Sequence, residues 1–395
     1  MSKRLRHLIS CLLLFLLGSQ QLLAQKQSAP PIHYEYLFVT ARSGLNYRDA
    51  PKGKLLGKFN LNHQLKIIHY TKIKDQVKAG GQLLDGEWVG VEKEADTVYV
   101  FNAFLSDQYV TSDIELYPVS PFYKRGESSA TAFVNLSETY WGTDGGKTNN
   151  LELGLSQEDW EKDTFRLNPE QKRRFLINMG LPASARLFVY QLDTDSVITY
   201  PIKDLPVMIC PNPFDGHEIG FDLGKYRSNS GDFAYLGTQN PFQTGKLKPV
   251  IWKEIDTALF PKKFDPEIIH KSRRIWFKGY VGGTSYLFKY NGLNYYVQHL
   301  INEDKSRHYY LIVLNEQTKK IIFERVYVDS ESTHLRPLRT TASDVKKQYG
   351  QWTGELFKNK ATVLFGFLGN SFGCPSIKVL DDSEPVIPIL CDNRH

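Results

Sequence analysis

One stretch of this 395-residue chain decides its predicted fold: Phe38-Val39-Thr40-Ala41-Arg42-Ser43-Gly44-Leu45-Asn46-Tyr47-Arg48-Asp49-Ala50-Pro51. Phe38, Thr40 and Arg42 alternate with their neighbours, which is typical of a strand. Gly44 interrupts the alternation, and a turn set by proline and glycine follows at 49–53. Further strand-like segments come next, at 55–59, 65–70, 86–91, 98–101 and 103–105. About five short strands between residues 34 and 106 predict a small antiparallel barrel.

The order of motifs in this region resembles that of bacterial SH3-like (SH3b) domains. The residues that carry the resemblance are Ala41, Leu45-Asn46-Tyr47-Arg48, Pro51, Gly57, Trp88-Val89, Tyr99-Val100 and Phe104-Leu105. Two features depart from the family pattern. Residues 71–85 form a longer insertion rich in lysine, glycine and glutamine, and Thr97-Val98 stands where a glycine usually precedes the aromatic residue. The resemblance covers residues 34–106 only.

The resemblance implies a recognition module that binds cell-wall peptides, glycans or proteins through an aromatic-lined surface. The candidate ligand-binding residues are Tyr47, Trp88, Tyr99 and Phe101. The alternative for each of them is a place in the core of the barrel, where aromatic side chains bury much of their surface.

The N-terminus has the pattern of a secretory signal peptide over residues 1–24. Lys3, Arg4 and Arg6 precede an apolar run from Leu8 to Leu17, which is too short to span a bilayer, and Ala24 precedes a plausible cleavage point. The alternative is a lipoprotein, because Leu8-Ile9-Ser10-Cys11 resembles a lipobox. Residues 25–33 are polar and rich in proline, as a linker would be. We therefore expect export to the periplasm or beyond, with no transmembrane segment in the mature chain.

The charge of the chain gives no sign of a nucleic-acid partner. The formal net charge is +6, and three of these charges lie in residues 1–24, which contain no acidic residue. The remaining basic pairs are scattered among acidic residues rather than gathered into a patch. The expected partner is instead a cell-wall component or an envelope protein.

After residue 106 the sequence first becomes irregular and then rich in strand patterns. Residues 107–180 read as a connecting region, with a capping box at Ser156–Asp159 and a helix over 169–179 that Asn168 caps and Pro169 starts. Residues 181–395 read as a β-rich C-terminal domain. Strands follow one another there without helices between them, joined by turn signals at Asp193–Asp195, Gly282-Gly283, Asn291-Gly292 and Asn315–Lys319. The predicted fold is therefore mainly β, with an antiparallel sandwich or barrel in this second part.

Two of the three mature cysteines are predicted to form a disulfide. Cys374 and Cys391 flank a hairpin whose turn is 381–384. A two-residue loop at Asp382-Ser383 would place the cysteines directly opposite each other, within disulfide range. The same register would pair Val379 with Val386 and Ile377 with Pro388. The alternatives are two reduced thiols, or a zinc site completed by His395.

No sequence motif for catalysis has the structural context that its chemistry needs. Gly369-Asn370-Ser371-Phe372-Gly373 matches the nucleophile-elbow pattern, but a strand rather than a helix is predicted after it. Neither Cys210 nor His217-Glu218 belongs to a recognised peptidase motif. We predict no catalytic residue, no cofactor and no metal site. The function expected is non-catalytic binding in the envelope, and the alternative is a cell-wall or polysaccharide hydrolase with an unrecognised site in the C-terminal domain.

Overall fold

The computed structural model confirms a mainly β fold built from several antiparallel sheets, and the elements it describes include the α-helix Pro169–Asn178 and short 3-10 turns. It describes residues 35–79, 81–94, 96–123, 130–136, 158, 162, 164–211, 217–225, 231–264, 279–302, 307–341 and 350–391. The predicted signal peptide, the linker, the two capping-box residues Ser156 and Asp159, and His395 lie outside these residues.

The first sheet takes in residues 35–106. Its strands are β1 (Glu35–Val39), β2 (Leu45–Arg48), β3 (Leu55–Phe59), β4 (Gln64–Ala79), β5 (Gln82–Lys93), β6 (Asp96–Phe101) and β7 (Leu105–Ser106). They lie in the order β3-β2-β6-β5-β4-β1-β7. One face of this sheet forms a core of its own, made by Val39, Leu45, Phe59, Leu65, Ile67, Val89, Val91, Val98 and Val100.

The insertion predicted at 71–85 forms the outer half of a long β4–β5 hairpin. Lys74 pairs with Glu87 and Ala79 with Gln82, so these two strands are longer than the predicted segments 65–70 and 86–91. The register shifts twice along the hairpin, between Ile67 and His69 and between Tyr70 and Lys74. Bulges of this kind increase the local twist and bend of a strand.

The second sheet has eight strands, three of which come from the region predicted as a connector. Its strands are β8 (Leu116–Phe122), β9 (Thr131–Asn135), β10 (Phe165–Arg166), β11 (Arg186–Gln191), β12 (Ser196–Pro201), β13 (Val207–Pro211), β14 (His217–Asp222) and β15 (Phe233–Gly237). Their order is β10-β13-β14-β9-β8-β15-β11-β12. Residues 107–180 therefore supply three strands of a sheet whose other strands come from residues after 180.

The helix α1 (Pro169–Asn178) begins as the sequence predicts. The Asn168 side chain accepts hydrogen bonds from the backbone N–H groups of Glu170 and Gln171, and the Gln171 side chain in turn accepts one from the Asn168 N–H. This is a complete capping box. Phe175 of α1 is fully buried against the eight-stranded sheet.

Two five-stranded sheets and one short two-stranded sheet complete the described chain. Their strands are β16 (Leu247–Pro249), β17 (Lys253–Ile255), β18 (Val281–Tyr290), β19 (Leu293–Ile301), β20 (Arg307–Asn315), β21 (Ile321–Val328), β22 (Thr333–Leu335), β23 (Trp352–Gly354), β24 (Val363–Phe365), β25 (Leu368–Asn370), β26 (Ser376–Val379) and β27 (Ile387–Pro388). We call β16-β23-β24-β26-β27 the middle sheet and β17-β18-β19-β20-β21 the outer sheet; β22 pairs with β25.

The middle sheet is buried on both faces. Val363 packs in the core shared with the eight-stranded sheet, where Tyr190 and Phe233 are also buried. The next residue, Leu364, packs in a different core, shared with Tyr295 of the outer sheet. Adjacent side chains of a strand point to opposite faces, so one strand supplies two cores.

One predicted turn is wrong. Gly282 and Gly283, expected to reverse the chain, lie inside β18, where the register to β19 shifts between Gly282 and Ser285. A glycine pair in a strand pattern also marks a bulge. The Asn291-Gly292 turn between β18 and β19 is confirmed, with both residues at positive φ.

Candidate functional site

Three of the four predicted ligand-binding aromatics lie on one face of the first sheet. Trp88 pairs with Phe101, and Gly90 with Tyr99, across β5 and β6. The residues between them, such as Val89 and Val100, point into the core. Trp88, Tyr99 and Phe101 therefore belong to the opposite face, which we call the outer face.

Tyr47 does not join this group. It packs against the core side of the sheet, with its ring centroid 4.6 Å from that of Phe59. Its hydroxyl end covers Gly57, and the Lys93 ammonium lies 5.5 Å from its ring centroid. Tyr47 is thus placed as a core residue of the sheet.

Trp88 is held from several sides and only 7% exposed. Its indole Nε1 donates to Asp75 Oδ2 at 3.4 Å, and the Arg48 guanidinium lies 5.9 Å from its ring centroid. The Phe101 ring lies 5.7 Å away on the neighbouring strand, itself buried. Trp88 and Phe101 therefore form a fixed floor rather than an accessible surface.

Asp75 belongs to the 71–85 extension, so the extension contributes directly to the outer face. The pKa of Asp75 is lowered, first by a hydrogen bond from the Gln76 N–H and then by the Trp88 indole and Lys52, while desolvation opposes the shift. Lys52 Nζ lies 3.3 Å from Asp75 Oδ1. The lowered pKa keeps the carboxylate charged at neutral pH, where it accepts the hydrogen bond from the Trp88 indole.

The accessible part of the outer face is formed by His69 and Tyr99. Tyr99 is half-buried and His69 is exposed, and their rings meet edge to face with centroids 5.8 Å apart. Gly90 lies beneath the imidazole: a Cβ there would come within 2.5 Å of His69 Cε1. Arg48 is the cross-strand neighbour of Tyr99. The face thus offers two aromatic edges beside a cation, which is a surface suited to hydrogen bonding and ring stacking.

Sequence reasoning missed His69. The predicted strand 65–70 includes this residue, but the bulge after Ile67 changes the face to which it points. The glycine opposite, Gly90, was the available signal, since a glycine in a strand often marks close approach of another group.

The disulfide between Cys374 and Cys391 is confirmed, with Cα atoms 5.4 Å apart. The register predicted for its hairpin is wrong by one residue. Ile377 pairs with Ile387 rather than with Pro388, and Ser376 pairs with Pro388. The Glu384 N–H donates to the Asp381 carbonyl, so the turn predicted at Asp382-Ser383 is present and the register changes between this turn and the paired strands. The cysteines lie past the paired strands, where the ladder no longer dictates their spacing. As a disulfide they cannot serve as thiolate zinc ligands.

The other candidate catalytic motifs, as far as the described residues include them, lack the surroundings that catalysis needs. Ser371 follows β25 in a turn that leads to β26, so the Gly369–Gly373 segment is not followed by a helix. Cys210 is buried, and burial raises the pKa of its thiol, which disfavours the nucleophilic thiolate. Within the described ranges, no three or more His, Cys, Asp or Glu side chains are grouped so that they could hold a metal ion. No helix in the same ranges is long and apolar enough to cross a membrane.

Comparison with known proteins assigns no family. No protein-family model matches the chain, and no match was found among the curated proteins or the solved structures.

Proposed function

We propose that the protein is an exported, non-catalytic binding protein of the cell envelope, in which residues 34–106 form an SH3-like recognition module. The observation that carries the proposal is the outer face, where Tyr99 and His69 are accessible beside the fixed pair Trp88 and Phe101. A rigid aromatic floor with an accessible aromatic rim resembles the core-and-rim arrangement of protein interaction sites. The expected ligand is a cell-wall peptide, a glycan or an envelope protein.

Export is supported by two features. The N-terminal sequence resembles a signal peptide, and the Cys374–Cys391 disulfide is compatible with an oxidising compartment. The test is cell fractionation followed by N-terminal sequencing. Export with cleavage predicts a mature chain that starts at Gln25 in the extracytoplasmic fraction, and an intact chain confined to the cytosol would contradict it.

Binding is tested by sedimentation with purified peptidoglycan. We compare the unchanged protein with a double variant, His69→Ala with Tyr99→Ala, which removes the accessible rim and leaves Trp88 and Phe101 in place. We expect affinity to fall about tenfold, the equivalent of about 1.4 kcal/mol.

Tyr36→Ala is the matched control. Tyr36 is a tyrosine of the same sheet, 49% exposed on β1, where its cross-strand partner is Lys66 rather than His69 or Tyr99. It should bind as the unchanged protein does. Equal sedimentation of the double variant and the unchanged protein would remove the binding role from this face, and circular dichroism verifies that the variants are folded.

A further inference from the structure

A cavity of about 450 Å³ opens on the face of the outer sheet that points away from the middle sheet. On this face Tyr310, Ile312 and Leu300 are buried beneath Phe260 and Phe264. The segment that holds these phenylalanines includes a 3-10 turn, Thr257–Leu259, in which the Ala258 N–H donates to the Asp256 side chain. The volume is in the range of sites for small molecules.

Three aromatic side chains form part of the cavity wall. Phe260, Phe264 and Tyr280 line it. Their positions are fixed by ring contacts: Phe260 and Phe264 lie 5.6 and 5.4 Å from the Tyr310 ring, and Tyr280 stacks on His308 at 4.7 Å. Such walls favour a ligand with a flat apolar body.

A buried amide lines the cavity between these walls. Gln298 of β19 is only 4% exposed, and its Nε2 donates to Ser285 Oγ at 2.9 Å. Its Oε1 lies against Gly282, where a Cβ would come within 2.3 Å of that oxygen. The glycine that was predicted to form a turn instead makes room for the carboxamide. The neighbouring Gly283 has no such role, since a Cβ there would meet only ordinary contacts at 3.4 Å or more.

The charge of the cavity is positive. Two lysines line it, Lys262 and Lys263. Lys262 is neutralised, because its Nζ contacts both carboxylate oxygens of Glu324, at 2.8 and 3.1 Å. Lys263 is exposed and forms no ion pair with any residue that the structure describes. Among the described residues, Lys263 is therefore the cation at the cavity that no carboxylate neutralises.

We propose that this cavity binds a small molecule with an aromatic or similarly flat body and one anionic group, with Lys263 facing the anion and Gln298 hydrogen bonding to a polar atom of the body. This site is separate from the outer face of the first sheet, and the proposal does not depend on the function assigned there.

The probe for this site is 1-anilinonaphthalene-8-sulfonate, an aromatic anion, compared with the uncharged N-phenyl-1-naphthylamine. Fluorescence titration measures the affinity of each. Lys263→Glu should weaken binding of the anionic probe about tenfold or more and leave the uncharged probe nearly unchanged. Lys320→Glu, the same charge reversal in a turn at the far end of the sheet, should change neither.

A second pair of variants tests the interior of the cavity. Gly282→Ala displaces the Gln298 carboxamide and should weaken both probes, whereas Gly283→Ala should bind both as the unchanged protein does. Near-ultraviolet circular dichroism verifies that each variant retains its fold. The proposal is overturned if the unchanged protein binds neither probe, if Lys263→Glu binds the anion normally, or if Gly282→Ala affects neither probe.

Discussion

Both polar atoms of the Asn62 carboxamide form hydrogen bonds with the backbone of Val110. Nδ2 donates to the Val110 carbonyl at 2.8 Å, and Oδ1 accepts from the Val110 N–H at 2.7 Å. This pair ties the first sheet to the segment that leaves it. A second link is an ion network in which Arg42 meets Glu384 at 3.6 Å and Lys360 bridges Glu384 and Asp113, at 2.9 Å each.

Replacing Asn62 with alanine should destabilise the protein by about 2 kcal/mol, since two hydrogen bonds are lost and alanine takes over a left-handed backbone. The backbone φ of Asn62 is 61°. Chemical denaturation measures the change, and hydrogen exchange at the Val110 amide should become faster. Asn62→Gly is the control for the backbone. Glycine adopts a positive φ without strain, so this variant loses only the two side-chain hydrogen bonds. Equal stability of Asn62→Ala and the unchanged protein would contradict the structural role of this pair.

Loss of the disulfide should also lower stability. Replacing Cys374 and Cys391 with serine removes a crosslink between residues 17 apart, worth about 3 kcal/mol on the chain-entropy account. Denaturation with and without reductant provides the measurement, and the double serine variant should not respond to reductant.

The same disulfide predicts how many thiols alkylation labels, which mass spectrometry measures. Alkylation of the denatured chain 25–395 should label one thiol, that of Cys210, without reduction and all three cysteines after it. Three labelled thiols before reduction would show that the crosslink is absent.

Phe175 should be among the most costly residues to truncate. It is fully buried between α1 and the eight-stranded sheet, with its ring 6.2 Å from that of Phe221. Phe175→Ala should cost about 3–5 kcal/mol in the free energy of unfolding, because it leaves a cavity. Ile177→Ala on the same helix is the control, since Ile177 is 59% exposed and should cost less than about 0.5 kcal/mol beyond helix propensity. Similar losses in both variants would show that α1 is not packed as described.

The start of α1 should make stability depend on pH in the acid range. Hydrogen bonds from Arg173 and Arg174 lower the pKa of Glu170 from 4.5 to about 2. Because the folded pKa is the lower one, the stabilisation is complete above pH 4.5 and is lost as the pH falls towards 2.

Glu170→Gln isolates this contribution. We expect it to lower the melting temperature at pH 7, with the difference from the unchanged protein shrinking between pH 4.5 and 2. Glu254→Gln, at an exposed strand position, should show no such trend. A difference that stays constant over this range would mean that the Glu170 ion pairs do not stabilise the fold.

The helix was predictable because its signals are local. Asn168, Pro169 and Glu170 define its start within three consecutive residues. The hairpin at Asn291-Gly292 was predictable for the same reason, since its turn needs residues that accept positive φ. Mainly β content and the disulfide pair also followed from patterns that span fewer than about twenty residues.

Two features could not be predicted from the sequence: the register between paired strands, and which side chain packs against a given glycine. A one-residue error in the Ile377 pairing came from extending the register of the Asp381–Glu384 turn into the strands, and a shift of one residue exchanges the two faces of a strand. Gly282 leaves room for the side chain of Gln298 on the neighbouring strand, and Gly90 leaves room for that of His69. The outer face was therefore only partly predictable: Trp88, Tyr99 and Phe101 lie together, Tyr47 lies on the core side, and His69 needed the bulge to be known.

The middle sheet has a consequence for the order in which the chain becomes structured. Its first strand pairs Pro249 with Trp352, roughly a hundred residues later, and the whole outer sheet is encoded between them. During synthesis, which starts at the N-terminus, the first sheet can form as soon as Ser106 has been added, whereas β16 cannot pair until β23 has been synthesised. Contacts so distant in sequence form slowly. We therefore expect the C-terminal strands and the Cys374–Cys391 disulfide to form last during folding. Until the middle sheet forms, the apolar faces of the eight-stranded sheet and the outer sheet that pack against it stay exposed to solvent and to chaperones.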